Sequence, residues 1–475
     1  MKKAIIILVS VLSVLAIIFP VGFPLLVTAV TPEIYSESFV GVLDDKIERL
    51  DSVEGEKVVV IGGSSVAFGI DSALMEENLG MPVVNFGLYA AIGNVAMMEL
   101  SKKSIGRGDV VVLAPEMDPQ SLSTYFNAEM LLKAIDEEPS LIFRFSADSI
   151  MKLLGGLWQH AAEKISASKN EYSSPKGIYS AESFDKEYFD IKAGLRAENV
   201  MPLYYDPNTP IRLSPDIIAV DYIDFVNDYV SYCRLRGAEV YFSYSPMLED
   251  ALVDTTEDDI YEFEKYLSDV LDCEIISFAE TYIMEAGYFY DTNYHLNDAG
   301  TTYRTLRLIE DISGTVLDEG PAAPPLPGVD VEFSGFDENS KYFKYEKMVN
   351  GAYKIVGLTE DGMKQTSLTV PLGADGVKVM AIARGAFAGS SVTKLTVTED
   401  TNLRNFLDGC MDGSKITDIW IYYDFEMEND KLVPPSDFGG VKLHFPPGSI
   451  YSTHYDWQDS SGGYTYDEDA VLQKP

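Results

Sequence analysis

The chain has 475 residues, with 36 Lys and Arg against 75 Asp and Glu, giving a formal net charge of −39. With 46% hydrophobic residues it can bury a core, so global disorder is excluded. The acidic excess argues against nucleic acid or anionic lipid headgroups as partners, because both carry the same sign. At this length two or more domains are expected. Three cysteines (Cys233, Cys273, Cys410) cannot build a disulfide framework. The four histidines (His160, His295, His444, His454) are too scattered for a His-rich zinc centre, so no metal or other cofactor is expected.

Met1-Lys2-Lys3 precedes an uncharged apolar stretch from Ala4 to Pro32. A spanning helix needs about 20 apolar residues, and this stretch is longer. The lysines ahead of it place the N-terminus inside and the rest of the chain outside the cytoplasm. Residues 1–32 therefore read as a single-pass membrane anchor. The alternative is a signal segment cleaved near Val27-Thr28-Ala29, which leaves a secreted protein. Residues 33–56 read as a polar stem.

Beyond the stem, β-branched runs alternate with helical spacing. Strands are expected at Lys57–Ile61, Val83–Phe86, Asp109–Leu113, Ala238–Tyr244 and Glu274–Phe278. Helices are expected at Asn94–Ile105, Asp216–Arg236 with Gly237 as C-cap, Glu257–Leu271, and from Asp298 to about Ile312 behind an Asn297 cap. Such alternation implies an α/β domain, residues 57–318, with a doubly wound parallel sheet. Residues 119–213 lack a clean period and read as an insertion over the sheet's carboxyl edge, where ligands bind in open α/β folds.

Gly320 to Gly328 is proline-rich, and residues 319–328 read as an extended linker. The C-terminal region, 329–475, carries an internal repeat. Phe387 to Val397 matches Met411 to Ile421 at an offset of 24 residues, with apolar, Gly, Ser and strand positions coinciding. A period of 20–29 with an alternating strand marks a leucine-rich-repeat solenoid. Val377–Val379 and Val441–Phe445 read as further, degraded turns. These units resemble the leucine-rich repeats of bacterial surface-antigen type, which implies a β-rich surface interaction or adhesion module. The alternative is a small β-domain that only spaces or stabilises its neighbour.

The chemistry sits at the first strand's end. Gly62-Gly63-Ser64-Ser65 permits a tight turn and puts a serine near the positive end of the next helix, where a nucleophile and oxyanion donors combine easily. Far along the chain, Tyr290-Asp291-Thr292-Asn293-Tyr294-His295 precedes the last helix. A serine nucleophile needs an imidazole base and a group to orient it, which His295 and Asp291 supply.

At these residues the chain resembles the SGNH, or GDSL-type, hydrolase superfamily. Gly63-Ser64-Ser65 with Gly69 is similar to the family's first block, Val84-Asn85-Phe86-Gly87 to the second, and Asp291 with His295 to the last. The resemblance covers about Lys57 to Ile312 and is closest to the membrane-tethered branch that acts on envelope polymers. It implies a flavodoxin-like fold, Ser65 as nucleophile, His295 as base and Asp291 as its partner. It also implies an oxyanion hole from the backbone N–H groups of Ser65 and Gly87.

Two departures stand out. The family's acid would fall at Thr292, one residue after Asp291, so Asn293 is a second candidate for orienting the imidazole. The family's third-block Asn is absent, and Glu116 stands there as a substrate-positioning or helix-capping residue. The reading is an extracytoplasmic serine acyl esterase or O-acyltransferase acting on a cell-envelope polysaccharide or related polymer. A membrane acyltransferase partner fits that branch, and no nucleic acid is expected. The alternative is a non-catalytic surface interaction protein with a degenerate SGNH domain.

Overall fold

The computed structural model describes residues 19, 21–28, 30–169, 176–328, 330–422, 432–435, 437–445 and 464–466. The chain divides into two compact units, Met1–Asn199 with Ile211–Pro325, and Val200–Pro210 with Leu326–Pro475.

The first unit is mixed α/β, built on five parallel strands. These are β1 (Val58–Gly62), β2 (Val83–Gly87), β3 (Val110–Leu113), β4 (Glu239–Phe242) and β5 (Glu274–Ile275), ordered β2-β1-β3-β4-β5. Val58 pairs with both Val83 and Val110, so β1 is central among the first three. Every residue of β1 and β2 is buried, as expected of β-branched runs covered on both faces. On one face Val58, Val60 and Val112 share a core with Met75, Leu308 and Ile309. Their neighbours Val59 and Val111 point the opposite way and are equally buried. The strand order reverses between β1 and β3, and their C-terminal ends open the crevice used by ligands in such sheets.

The expected helices occur with small boundary shifts: Asn94–Ser101, Val220–Leu235, Glu257–Val270 and Asp298–Ser313. The capping chemistry is in place. Thr256 and Asp259 form a reciprocal capping box. Asn297 accepts the Gly300 N–H at 3.0 Å.

Two expectations need correction, and a third is not reached by the described residues. Residues 33–56 are not a free stem, because Leu43–Ser52 is a helix whose Leu43, Ile47 and Leu50 form a buried stripe. Its Lys46 is buried too and donates to the Asn85 and Phe189 carbonyls. The supposedly aperiodic insertion contains a long helix, Ala147–Lys169, and residues Val200–Pro210 belong to the second unit. Among them, Leu203 joins a core with Met348, Ala352 and Met380. The anchor reading falls mostly on residues 1–18, which lie outside the described residues. Among the described residues, no helix is long and apolar enough to cross a membrane.

The second unit stacks strands in two ladders, one wholly parallel and one mixed. One contains β6 (Ser367–Thr369), β8 (Lys394–Val397), β10 (Asp418–Ile421), β11 (Lys442–Phe445) and β12 (Tyr464–Tyr466). Lys394 pairs with Asp418 and Asp418 with Lys442, so the 24-residue repeat is the register of this ladder. Leu395, Ile419 and Leu443 therefore superpose and face one core. Val441–Phe445 supplies a turn of this ladder. Val377–Val379 does not: it lies in β7 (Val377–Ile382) and β9 (Asn405–Phe406) follows it in a second ladder. Each repeat thus contributes two strands, and the sequence pattern reveals only the more strongly alternating one.

The repeat's glycines link successive turns directly. Gly389 donates its N–H to the Gly413 carbonyl at 2.9 Å, and both sit at positive φ, +69° and +67°. Because each turn is stabilised by its neighbours, Ile419→Ala is expected to cost about 2–5 kcal/mol. Outward-facing Thr396→Ala should cost under about 0.5 kcal/mol. Urea denaturation of the full chain, followed by tryptophan fluorescence, would measure both.

Candidate active site

β1 ends at Gly62, and the chain turns through Gly63 into a helix of only four residues, Ser64–Ala67. Local N–H groups of Phe68 and Gly69 meet the Ser64 and Val66 carbonyls, and distant side chains supply further donors around this short helix. Arg304 Nη1 donates to the Ser65 carbonyl at 2.5 Å, and Asn85 Nδ2 to that of Val66 at 3.2 Å. The Phe68 carbonyl takes the Thr301 hydroxyl at 2.7 Å and also Arg196 Nη1. Ser65 is fully buried, and its Oγ has no hydrogen-bond partner among the described residues.

The histidine loop is set by its own short-range bonds. Phe289 and Leu296 bridge in antiparallel fashion and close the loop between them. Thr292 Oγ1 accepts the N–H groups of Tyr294 and His295, at 3.2 and 3.0 Å. Thr292 is therefore a turn-former, and the acid one residue earlier faces the imidazole. Asp291 Oδ1 lies 2.8 Å from His295 Nδ1. That bond leaves Nε2 as the nitrogen free to take a proton.

Two aromatic residues fix this pair. The Phe68 ring stacks on the imidazole with centroids 4.0 Å apart and planes 6° from parallel. The Tyr179 hydroxyl donates to Asp291 Oδ2 at 2.5 Å. Burial alone would raise the Asp291 carboxyl. The His295 hydrogen bond and charge, with the Tyr179 hydroxyl, outweigh it and hold the carboxyl below its ordinary value. It stays ionised at neutral pH, and that stabilises an imidazolium. Burial and the Asp291 charge push the Tyr179 hydroxyl far up, so it remains a donor. Asn293 is buried with its carbonyl accepting the Leu248 N–H, while the imidazole Nδ1 is held by Asp291 and Tyr179.

The two expected oxyanion donors are both engaged. The Ser65 N–H donates to Glu116 Oε1 at 2.8 Å, and the Gly87 N–H to Asn85 Oδ1 at 3.2 Å. No hydrogen bond joins Ser65 Oγ to His295 among the described residues. Glu116 reaches Ser65 because residue 63 has no side chain: a Cβ there would lie 2.5 Å from the carboxylate. Glu116 thus caps the first turn of the helix Ser64–Ala67 and lies within the site. Burial raises its carboxyl, only partly offset by the Ser65 N–H.

Arg196, Tyr179 and Asp190 escaped the sequence reading because the insertion has no period to flag them. Asp190 is buried and accepts from Ser72 and Asn85, which ties the insertion to the second strand. Burial raises its carboxyl to about 6 against the opposing charge of Lys46. Arg304 had a weak signal, as a lone arginine on the inner face of the last helix. Among the described residues, no cluster of His, Cys, Asp and Glu is arranged to hold a metal ion.

Comparison with known protein families, with curated proteins and with solved structures finds nothing that matches this chain.

A raised folded-state carboxyl opposes folding once it ionises. That cost is absent below the ordinary value of 4.5 and sets in as pH rises through the folded-state value. Glu116→Gln keeps an acceptor for the Ser65 N–H and removes the charge. The variant should melt higher than wild type at pH 8, with the gap closing as pH falls toward 4.5. A pH-independent gap in calorimetry would refute this account.

Proposed function

We propose that this chain is an extracytoplasmic serine acyl esterase or O-acyltransferase acting on a cell-envelope polysaccharide or related polymer. The observation that carries the reading is the 2.8 Å Asp291–His295 pair, set on the sheet edge where β1 delivers Ser65. In this reading the first unit is a flavodoxin-like, doubly wound domain of the SGNH kind. The strand order of its sheet is that of flavodoxin-like folds. Residues 1–32 hold it to the membrane, and the repeats form a leucine-rich-repeat surface module.

Ser65 Oγ attacks the ester carbonyl while His295 Nε2 takes its proton, and ionised Asp291 stabilises the imidazolium. The tetrahedral adduct expels the alcohol, which leaves with the proton returned by His295. A second hydroxyl, from water or from an acceptor sugar, then resolves the acyl-enzyme with His295 again as base. The developing oxyanion needs donors. Substrate must therefore displace Glu116 from the Ser65 N–H, or Asn85 from that of Gly87. With a net charge of −39, neutral or acetylated glycans suit the chain better than anionic polymers.

The engaged N–H groups favour a second reading. In it the α/β unit has lost catalysis, and the chain is a surface interaction protein, binding through its repeats or presenting polymer to a membrane acyltransferase. The outer face of the repeats offers suitable chemistry. Lys394 lies 4.5 Å over the Trp420 ring, and Trp420 stacks on His444 at 4.3 Å.

A fluorophosphonate probe separates the two. The catalytic reading expects a covalent adduct on wild type, none on Ser65→Ala, and a loss of about 10⁴ in kcat for Asp291→Asn, as for other serine triads. A folded wild-type sample that takes up no Ser65-dependent label, yet binds glycan, supports the second reading.

A further inference from the structure

The first unit carries an apolar face that has no place in the serine chemistry. Residues 21–28 are helical, and Phe19, Phe23, Leu26 and Val30 follow the i, i+4, i+7, i+11 spacing of one helix face. All four are open, with exposures of 53%, 39%, 59% and 71%. The opposite side of this segment packs inward: Pro24 and Val27 are buried, and the Thr28 carbonyl accepts from Lys164 at 3.4 Å. Lys164 belongs to the helix Ala147–Lys169, and it bonds Asp136 at 2.5 Å. The same helix extends the open face. The Trp158 ring lies 5.9 Å from Phe19 and 5.7 Å from Phe23, and is itself 44% exposed. Met151, two turns earlier on that side, is 67% exposed.

Six large apolar side chains left open on so acidic a chain call for an occupant. Two observations choose it. Residues 4–18 precede Phe19 in the chain without a single charge, so the sequence leading into the patch is itself apolar. Also, residues 43–52 form a helix packed into the unit, so no polar spacer holds the face away from whatever the apolar run enters.

We infer that this face, formed by Phe19, Phe23, Leu26, Val30, Met151 and Trp158, lies in the interfacial layer of a lipid bilayer with neutral headgroups. A tryptophan beside phenylalanines is the side-chain chemistry of that layer. The net charge of −39 excludes anionic lipid as the attraction. The α/β unit then rests on the membrane instead of hanging from a stem. The inference rests on the proposed attachment of the N-terminal segment to the membrane and is independent of Ser65.

The test uses the full chain in phosphatidylcholine vesicles containing lipids brominated either near the headgroup or deep in the acyl chain. Trp158 is one of three tryptophans. Shallow bromines should quench wild type more than deep ones, and Trp158→Phe should lose at least half of that quenching. Met151→Glu should reduce it about twofold while leaving flotation with the vesicles intact. If the chain floats with vesicles but Trp158 contributes no quenching, the anchor holds and the inference fails. If it does not float, anchor and inference fail together. Trp158 shielded by self-association in lipid-free detergent, with no quenching in vesicles, would assign the face to a second copy and overturn the inference. Serine-probe labelling of the same samples reports separately on the proposed chemistry.

Discussion

Side chains from distant parts of the chain converge on the carbonyls around the four-residue helix Ser64–Ala67, and much of the first unit is tied together there. Local N–H groups meet the Ser64 and Val66 carbonyls, but so short a helix leaves further acceptor capacity for partners from elsewhere. Asn85 comes from the second strand, Arg196 from the insertion, and Thr301 and Arg304 from the last helix. Those segments are thereby brought to one place. The Arg196 guanidinium shows how directly this builds the site. It bonds the Phe68 carbonyl on the serine turn and, at 3.0 Å, the Leu296 carbonyl beside His295.

The same economy of buried polar groups explains the resting state of the N–H donors. A backbone donor that is out of reach of water needs an acceptor, and leaving it unmade costs about 1–3 kcal/mol. Glu116 and Asn85 supply acceptors to Ser65 and Gly87. Asn85 is held in turn by Asp190, and its carbonyl by Lys46. Lys46 lies in the segment that the sequence suggests is a stem. Satisfying the sheet's polar edge therefore draws the pre-sheet helix and the insertion into one buried network. The charge on Glu116 is an unfavourable member of that network, because burial opposes it and, among the described residues, no cation is hydrogen-bonded to it.

The repeat unit answers a different constraint. No single turn there buries its strand, so the turns stack until Leu395, Ile419 and Leu443 make one column. Outside the column, Lys394, Trp420 and His444 line up as cation, ring and ring across three successive strands, and His444 bonds back to Asp418 on the middle one. This arrangement leaves polar and aromatic groups on one face while the other is wholly apolar.

Elements governed by short-range pattern were legible in the chain itself. Five β-branched runs gave five parallel strands, Asn297 marked a helix start through its own amide oxygen, and the offset of 24 residues was the ladder's register. Asp291 and His295 could be paired because they lie only four positions apart on one short loop. What the sequence did not disclose depends on contacts across long separations. The pairing of Glu116 with the Ser65 N–H, the clamp of Arg196, the hydrogen bond from Tyr179 to Asp291 and the assignment of Val200–Pro210 to the second unit are all of this kind. The physical reason is the range of the forces. Periodicity and capping act within a turn or two, whereas a buried donor or charge takes whichever partner the finished packing brings within about 3 Å.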